Sequence, residues 1–182
     1  MDKIKKALLI VDVQNDFVTG SLGSEYAKDV VVPNVEKLGR EFGTDIFITM
    51  DTHDSDYLET LEGKKLPVSH CIIGTPGHEL VPEIEDLIAD AFSHFLPMLS
   101  HIIVKNTFGA EQKILTESFE SYDEIHICGL CTDICVVSNA LILRALFPNK
   151  IIVVHENCCG GTSKEAHDAA IKVMKSCQID IV

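Results

Sequence analysis

Short apolar runs alternate along the chain with stretches of helical period. The runs are ALLIVDV (7–13), DIFITMD (45–51), HIIVKN (101–106), EIHICGL (124–130), KIIVVHE (150–156) and QIDIV (178–182). They are rich in Ile and Val and apolar on both faces, the pattern of strands buried between two helix layers. Helical patterns occupy about 28–41, 79–91, 109–119, 133–146 and 163–176. This alternation predicts an α/β fold, a parallel sheet wrapped on both sides. Segment 52–78 breaks the rhythm with Gly, Pro and three His but no clear period. It follows the carboxyl end of the second strand, the side on which open α/β sheets bind ligands.

No repeat or linker divides the 182 residues, and 46% hydrophobic composition supplies one core, so a single domain over 1–182 is expected. The net charge of −13 repels phosphate backbones, which argues against nucleic acid as a partner. MDKIKKALLIVDV is basic and then apolar like a signal peptide, but the apolar run is short and Asp12 breaks it; a first strand is the better reading. No stretch approaches the roughly 18 apolar residues of a membrane span. Seven cysteines, an odd count without a visible secretion signal, fit free thiols in a reducing cytoplasm.

Four strand ends carry chemistry. Asp12 ends the first strand, Asp51 the second with His53 just beyond, and Lys105 the third; CGLCTDIC (128–135) leaves the fourth. Alone, each has a bland reading: Asp12 as a turn former, Lys105 as a surface residue, Cys135 as a buried free thiol. A parallel sheet brings all four ends to one edge, where they supply a base, a positive charge and a nucleophile. Thr132 or Asp133 is placed to cap the helix running to about Phe147, ahead of Pro148. Cys135 then lies in the first turn, where the helix dipole favours a thiolate. Cys128–Cys131 has C-x-x-C spacing, but a zinc knot needs a second pair and Cys158–Cys159 is wrongly spaced, while a thioredoxin-like motif would place both cysteines after the strand and Cys128 is in strand register. Asp51, His53 and His70 offer carboxylate and imidazole ligands suited to Zn, Mn or Fe; polar loop residues capping turns would read the same.

IVDVQNDF (10–17), DTH (51–53), LPVSHCIIGTPG (66–77), KNTF (105–108) and GLCTDICV (129–136) resemble the isochorismatase-like cysteine hydrolases, most closely their nicotinamidase branch. The resemblance spans nearly the whole chain. It implies a six-stranded parallel sheet in an αβα sandwich, strand order 3-2-1-4-5-6. It implies a catalytic triad of Asp12, Lys105 and Cys135, with Lys105 keeping Asp12 ionised. It also implies an oxyanion hole from the backbone N–H groups of Cys131 and Cys135, and a non-proline cis peptide at Leu130–Cys131. Phe17 matches an aromatic that stacks on the substrate ring, and Leu66 and Leu130 join it as pocket residues. Leu66 and Pro67 stand where nicotinamidases carry a second aromatic. Asp51, His53 and His70 match metal ligands, with Glu62 preferred over Glu59 as the fourth, for a divalent ion, Zn ahead of Mn or Fe.

The activity implied is cysteine-dependent release of ammonia from nicotinamide or a related small carboxamide through a thioester, a step of NAD salvage. Hydrolysis of N-carbamoyl or ureido compounds by the same triad is the enzymatic alternative. A non-catalytic binding module of the same fold is the alternative from another class. Isochorismate cleavage, a vinyl-ether chemistry, needs no cysteine nucleophile. The stretch 133–146 is apolar almost all round, fitting deep burial or a subunit contact, and a homo-oligomer is expected. His167 and CCGG (158–161) read as structural, with the loop after the fifth strand left open as a wall of the pocket.

Overall fold

The computed structural model describes residues 4–92 and 101–182. The first three residues of the basic N-terminal stretch lie outside them. Six parallel strands form one sheet in the order β3-β2-β1-β4-β5-β6, as the resemblance implied. They are β1 (Lys6–Val11), β2 (Ile46–Asp51), β3 (Ile102–Lys105), β4 (Glu124–Leu130), β5 (Ile151–Gly160) and β6 (Asp180–Ile181). The helices are α1 (Asn15–Val18), α2 (Val32–Phe42), α3 (Leu61–Lys65), α4 (Pro82–Phe92), α5 (Gln112–Phe119), α6 (Val137–Leu146) and α7 (Lys164–Ser176). A π-helical turn, Ala27–Val31, leads into α2.

Burial explains the apolar runs. Ala7 to Val11 and Ile125, Ile127 and Cys128 expose none of their surface. Side chains on both faces of these central strands are covered, so neither strand needs polar alternation. α2 packs on β1 and α4; α6 packs on α5 and α7. The edge strand β3 departs from this pattern, with Val104 exposed.

β1 pairs with β2 on one side and β4 on the other, so the strand order reverses between β1 and β4. The crevice outside the carboxyl ends of such strands is where doubly wound sheets bind ligands. Close approach there requires a glycine. A Cβ on Gly129, at φ +121°, would lie 2.1 Å from the carbonyl oxygen of Val11.

Three expectations are corrected. β5 runs to Gly160 rather than ending near Glu156, taking Cys158 and Cys159 into the sheet; the β4–β5 register shifts between Ile127 and Gly129 to accommodate it. Segment 52–78 is not structureless: it holds Tyr57–Glu59, α3 and Pro76–His78 as short helices, and Thr60 caps α3 by accepting from the Gly63 N–H. Helices of three and five residues carry no periodic signal. Neither Thr132 nor Asp133 caps the helix after β4. Cys131 occupies that position without a side-chain cap, and a π-helical turn, Thr132–Val136, precedes α6. No helix among the described residues is long and apolar enough to cross a membrane.

Candidate active site

The sheet brings Asp12, Lys105 and Cys135 together. Asp12 follows the last residue of β1 with φ 50°, a left-handed conformation that Asp tolerates better than most residues. Its Oδ1 accepts from Thr49 Oγ1 at 2.6 Å, and its Oδ2 lies 2.7 Å from Lys105 Nζ. The same ammonium is 3.1 Å from Asp51 Oδ1 and 3.5 Å from Cys135 Sγ. All four groups are buried. One cation thus faces two carboxylates and a sulfur.

Burial decides the protonation states. It pushes the Cys135 thiol well above its ordinary range; Asp12 beside it adds to the rise, and Lys105 opposes it. The expected helix-dipole effect is worth about 0.3–1 kcal/mol, whereas full burial shifts a group by up to about 3–5 pKa units. Burial therefore favours the thiol and opposes the lean toward a thiolate that a first helical turn provides. Asp12 is also raised, because burial, reinforced by Asp51, outweighs the lowering by Lys105. Lys105 goes up despite its burial, held charged by Asp12, Cys135 and Asp51. A carboxylate of raised affinity thus faces a thiol that needs a base.

A second cluster adjoins the first. Asp51 Oδ2 lies 3.0 Å from His53 Nε2 and 3.4 Å from His70 Nε2, and His53 Nε2 is 3.8 Å from Glu62 Oε1. Burial opposes ionisation of Asp51, but the two imidazoles and Lys105 hold its carboxyl well below the usual range. His70 Nδ1 is 2.9 Å from the Val68 carbonyl, so that nitrogen carries the hydrogen. In neutral His70, Nε2 would then turn a lone pair toward a carboxylate oxygen. A positive charge between them, proton or metal, removes that conflict. Mixed imidazole and carboxylate donors fit a divalent transition ion. Single ligand atoms of Asp51, His53 and His70 all lie within 4.8 Å of one another. Glu62 is half-buried at the rim of this group, while Glu59 is exposed.

Both clusters border a cavity of about 350 Å³. Phe17, Leu66, Leu130, Cys131 and Cys135, all expected from sequence, line it. Phe108 and Ile134 also line it and were not expected as pocket residues, although Phe108 ends the KNTF motif; Gly160–Thr162, at the end of the fifth strand whose loop was left open as pocket wall, lines it as well. The peptide bond Leu130–Cys131 is cis.

Several supporting residues escaped the sequence reading. The side chain of buried Gln14 donates to the carbonyls of Asp51 (2.9 Å) and His78 (2.7 Å) and accepts from the Asp51 N–H (2.7 Å). Asn139 donates to the Cys135 carbonyl (2.8 Å) and the Phe108 carbonyl (3.3 Å), tying α6 to the loop after β3. Buried amides inside apolar runs were the only available signal.

An open parallel sheet in this order, with Asp, Lys and Cys meeting at its switch point, defines an isochorismatase-like hydrolase fold. A model of the isochorismatase domain matches residues 6–182. Nicotinamidase of Schizosaccharomyces pombe is 28% identical, with 97% of this chain and 92% of that protein covered. The crystal structure of nicotinamidase from Bacillus subtilis superposes with a TM-score of 0.78 at 25% identity, covering 98% of this chain and 99% of that one. Pyrazinamidase of Pyrococcus horikoshii in complex with zinc gives 0.72 at 26% identity, covering 98% of each chain. The chain belongs to the isochorismatase family, in its nicotinamidase-related branch, and is a hydrolase.

Proposed function

We propose that this chain is an amidohydrolase, acting on non-peptide C–N bonds, that releases ammonia from nicotinamide or a related small neutral carboxamide. The observation carrying this is the buried Asp12–Lys105–Cys135 constellation beside an apolar-walled cavity. The nicotinamidase and pyrazinamidase names of its relatives support the amide.

Asp12 accepts the Cys135 proton as the sulfur attacks the amide carbon. Lys105 stays charged throughout and holds Asp12 toward the sulfur. The backbone N–H groups of Cys131 and Cys135 receive the developing oxyanion; one such donor is worth about 10²–10³ in rate. Asp12 returns the proton to the leaving nitrogen, and ammonia departs from a Cys135 thioester. Asp12 then takes a proton from water as its oxygen attacks the thioester carbon; the C–S bond breaks, the carboxylic acid leaves, and Asp12 returns the proton to the Cys135 sulfur. Phe17 and Leu66 wall the pocket around the substrate body.

Asp51, His53, His70 and Glu62 would hold a divalent ion, with zinc the leading candidate. When bound, it would supply a Lewis-acid contact to a ring nitrogen or an ordered water. Protein loaded with zinc or manganese and then desalted should retain one ion per chain by elemental analysis, and the double variant His53→Ala/His70→Ala should retain none. Failure of the loaded parent to retain metal would end this assignment.

Charge favours neutral amides over N-carbamoyl acids. Among the described residues, no Lys or Arg lines the cavity, while Asp51 and Glu62 do. With Asp51 and Glu62 committed to the divalent ion, a substrate carboxylate would find no cationic side chain on the cavity wall to pair with. Ammonia release should give nicotinamide or pyrazinamide a kcat/KM at least about 10²-fold above that of N-carbamoyl amino acids, as a charge left unpaired in the pocket costs several kcal/mol. The opposite order would move the assignment to the ureido-acid hydrolases.

A further inference from the structure

Two successive residues of the Cys135 turn reach away from it to one neighbouring segment. Thr132 is fully buried, and its Oγ1 lies 2.9 Å from Nδ1 of His167 on α7. Asp133 accepts from both the N–H and the hydroxyl of Thr162, at 2.8 and 2.6 Å. Thr162 belongs to the pocket wall, together with Gly160 and Gly161. The approach is close: a Cβ on Gly161 would lie 2.7 Å from Asp133 Oδ1 and 2.9 Å from His167 Cβ.

The far side of the His167 ring favours one tautomer. Nε2 faces Glu156 Oε1 at 3.7 Å. A carboxylate there favours the hydrogen on Nε2, which leaves the Nδ1 lone pair to accept from the Thr132 hydroxyl. Glu156, His167 and Asp168 are also close enough together to invite a cation. However, Lys164 engages both Asp168 oxygens at 2.8 and 3.0 Å, and Thr132 occupies Nδ1 of the histidine. The cluster is committed to the turn rather than to an ion.

We infer that His167 is a positioning residue for the reaction. It anchors Thr132, and through Thr132 it holds the backbone N–H groups of Cys131 and Cys135 in register with the wall that Asp133 grips through Thr162. This rests on the reading of Cys135 as the nucleophile. A misplacement of about 1 Å can cost roughly 10²-fold in rate.

The test compares His167→Asn, whose amide reaches the Nδ1 position, with His167→Gln, which reaches toward Nε2, and with His167→Ala. Two readouts are taken on protein shown to be folded by near-UV circular dichroism: kcat and KM for nicotinamide, and the rate at which iodoacetamide alkylates Cys135, followed by peptide mass. Relative to the parent, His167→Ala and His167→Gln should lose about 10²-fold in kcat with KM little changed, and His167→Asn should recover most of it. Alkylation rates should separate His167→Asn from His167→Gln in the same order. Because alkylation needs no amide substrate, that order in a protein that hydrolyses no amide would sink the proposed activity and leave the positioning role standing. Equal alkylation of the Asn and Gln variants overturns the positioning role, whatever the activity. If the Ala variant fails to fold, the Asn and Gln pair still decides.

Discussion

Cys135→Ala will abolish ammonia release, by at least about 10⁴-fold, while the protein remains folded. The change removes one sulfur from a buried position and leaves the Lys105 ammonium paired with Asp12 and Asp51. No charge is stranded, so the stability cost should be about 1 kcal/mol, that of one buried methylene-sized group. Asp12→Asn makes the sharper companion. Burial holds the Cys135 thiol well above its usual range, so the sulfur does not ionise unaided near neutrality. Loss of the base should then cost on the order of 10²–10⁴-fold in kcat/KM, the span of general-base catalysis. A timed ammonia assay and urea denaturation check both variants. Retained turnover in Cys135→Ala protein would end the proposed mechanism. Fast acylation in Asp12→Asn protein would mean that the thiolate forms without its neighbour.

The second large effect is expected at Lys105. Lys105→Met leaves two buried carboxylates without their shared cation, which should destabilise the fold by about 3–5 kcal/mol. Asp12 is already raised by burial, and Lys105 is the strongest influence lowering it. Without Lys105 its affinity for a proton climbs further, and less of it is the free base at neutral pH. Activity should fall and then recover partly as pH rises. Stability should move the opposite way. A carboxyl that binds its proton more tightly when folded contributes stability at low pH and loses it as pH rises through the folded value. The urea midpoint of the variant should therefore drop further below that of the parent at pH 8 than at pH 5. The double variant Asp12→Asn/Lys105→Met removes one stranded charge and should regain part of the loss. An equal deficit at both pH values would show that the cost is packing rather than charge.

Much of the architecture was legible because its cause is local. Ala7 to Val11 and Ile125 to Cys128 are covered on both faces, and that requirement is written directly into consecutive residues. Asp12, Lys105 and Cys135 could be named because each ends a strand or follows one, and parallel strands share an edge. Gln14, Thr49 and Asn139 were not legible as site residues. Gln14 and Thr49 act on partners 37 positions away, and Asn139 acts partly on a loop about 30 away. The extension of β5 to Gly160 was missed for a related reason, since it depends on a register shift against β4 rather than on its own residues.

The sequence by itself determined the strands, their order through the family motifs, and the identities of the three converging side chains. Tertiary structure alone decided their protonation, the hydrogen-bonded frame around Asp51 and the shape of the pocket wall at Gly160–Thr162. Periodicity records which side of a segment meets water, and neighbouring residues suffice to show it. Ionisation depends on how much water the assembled protein removes and which charges it leaves nearby, and those are set by residues far apart in the chain.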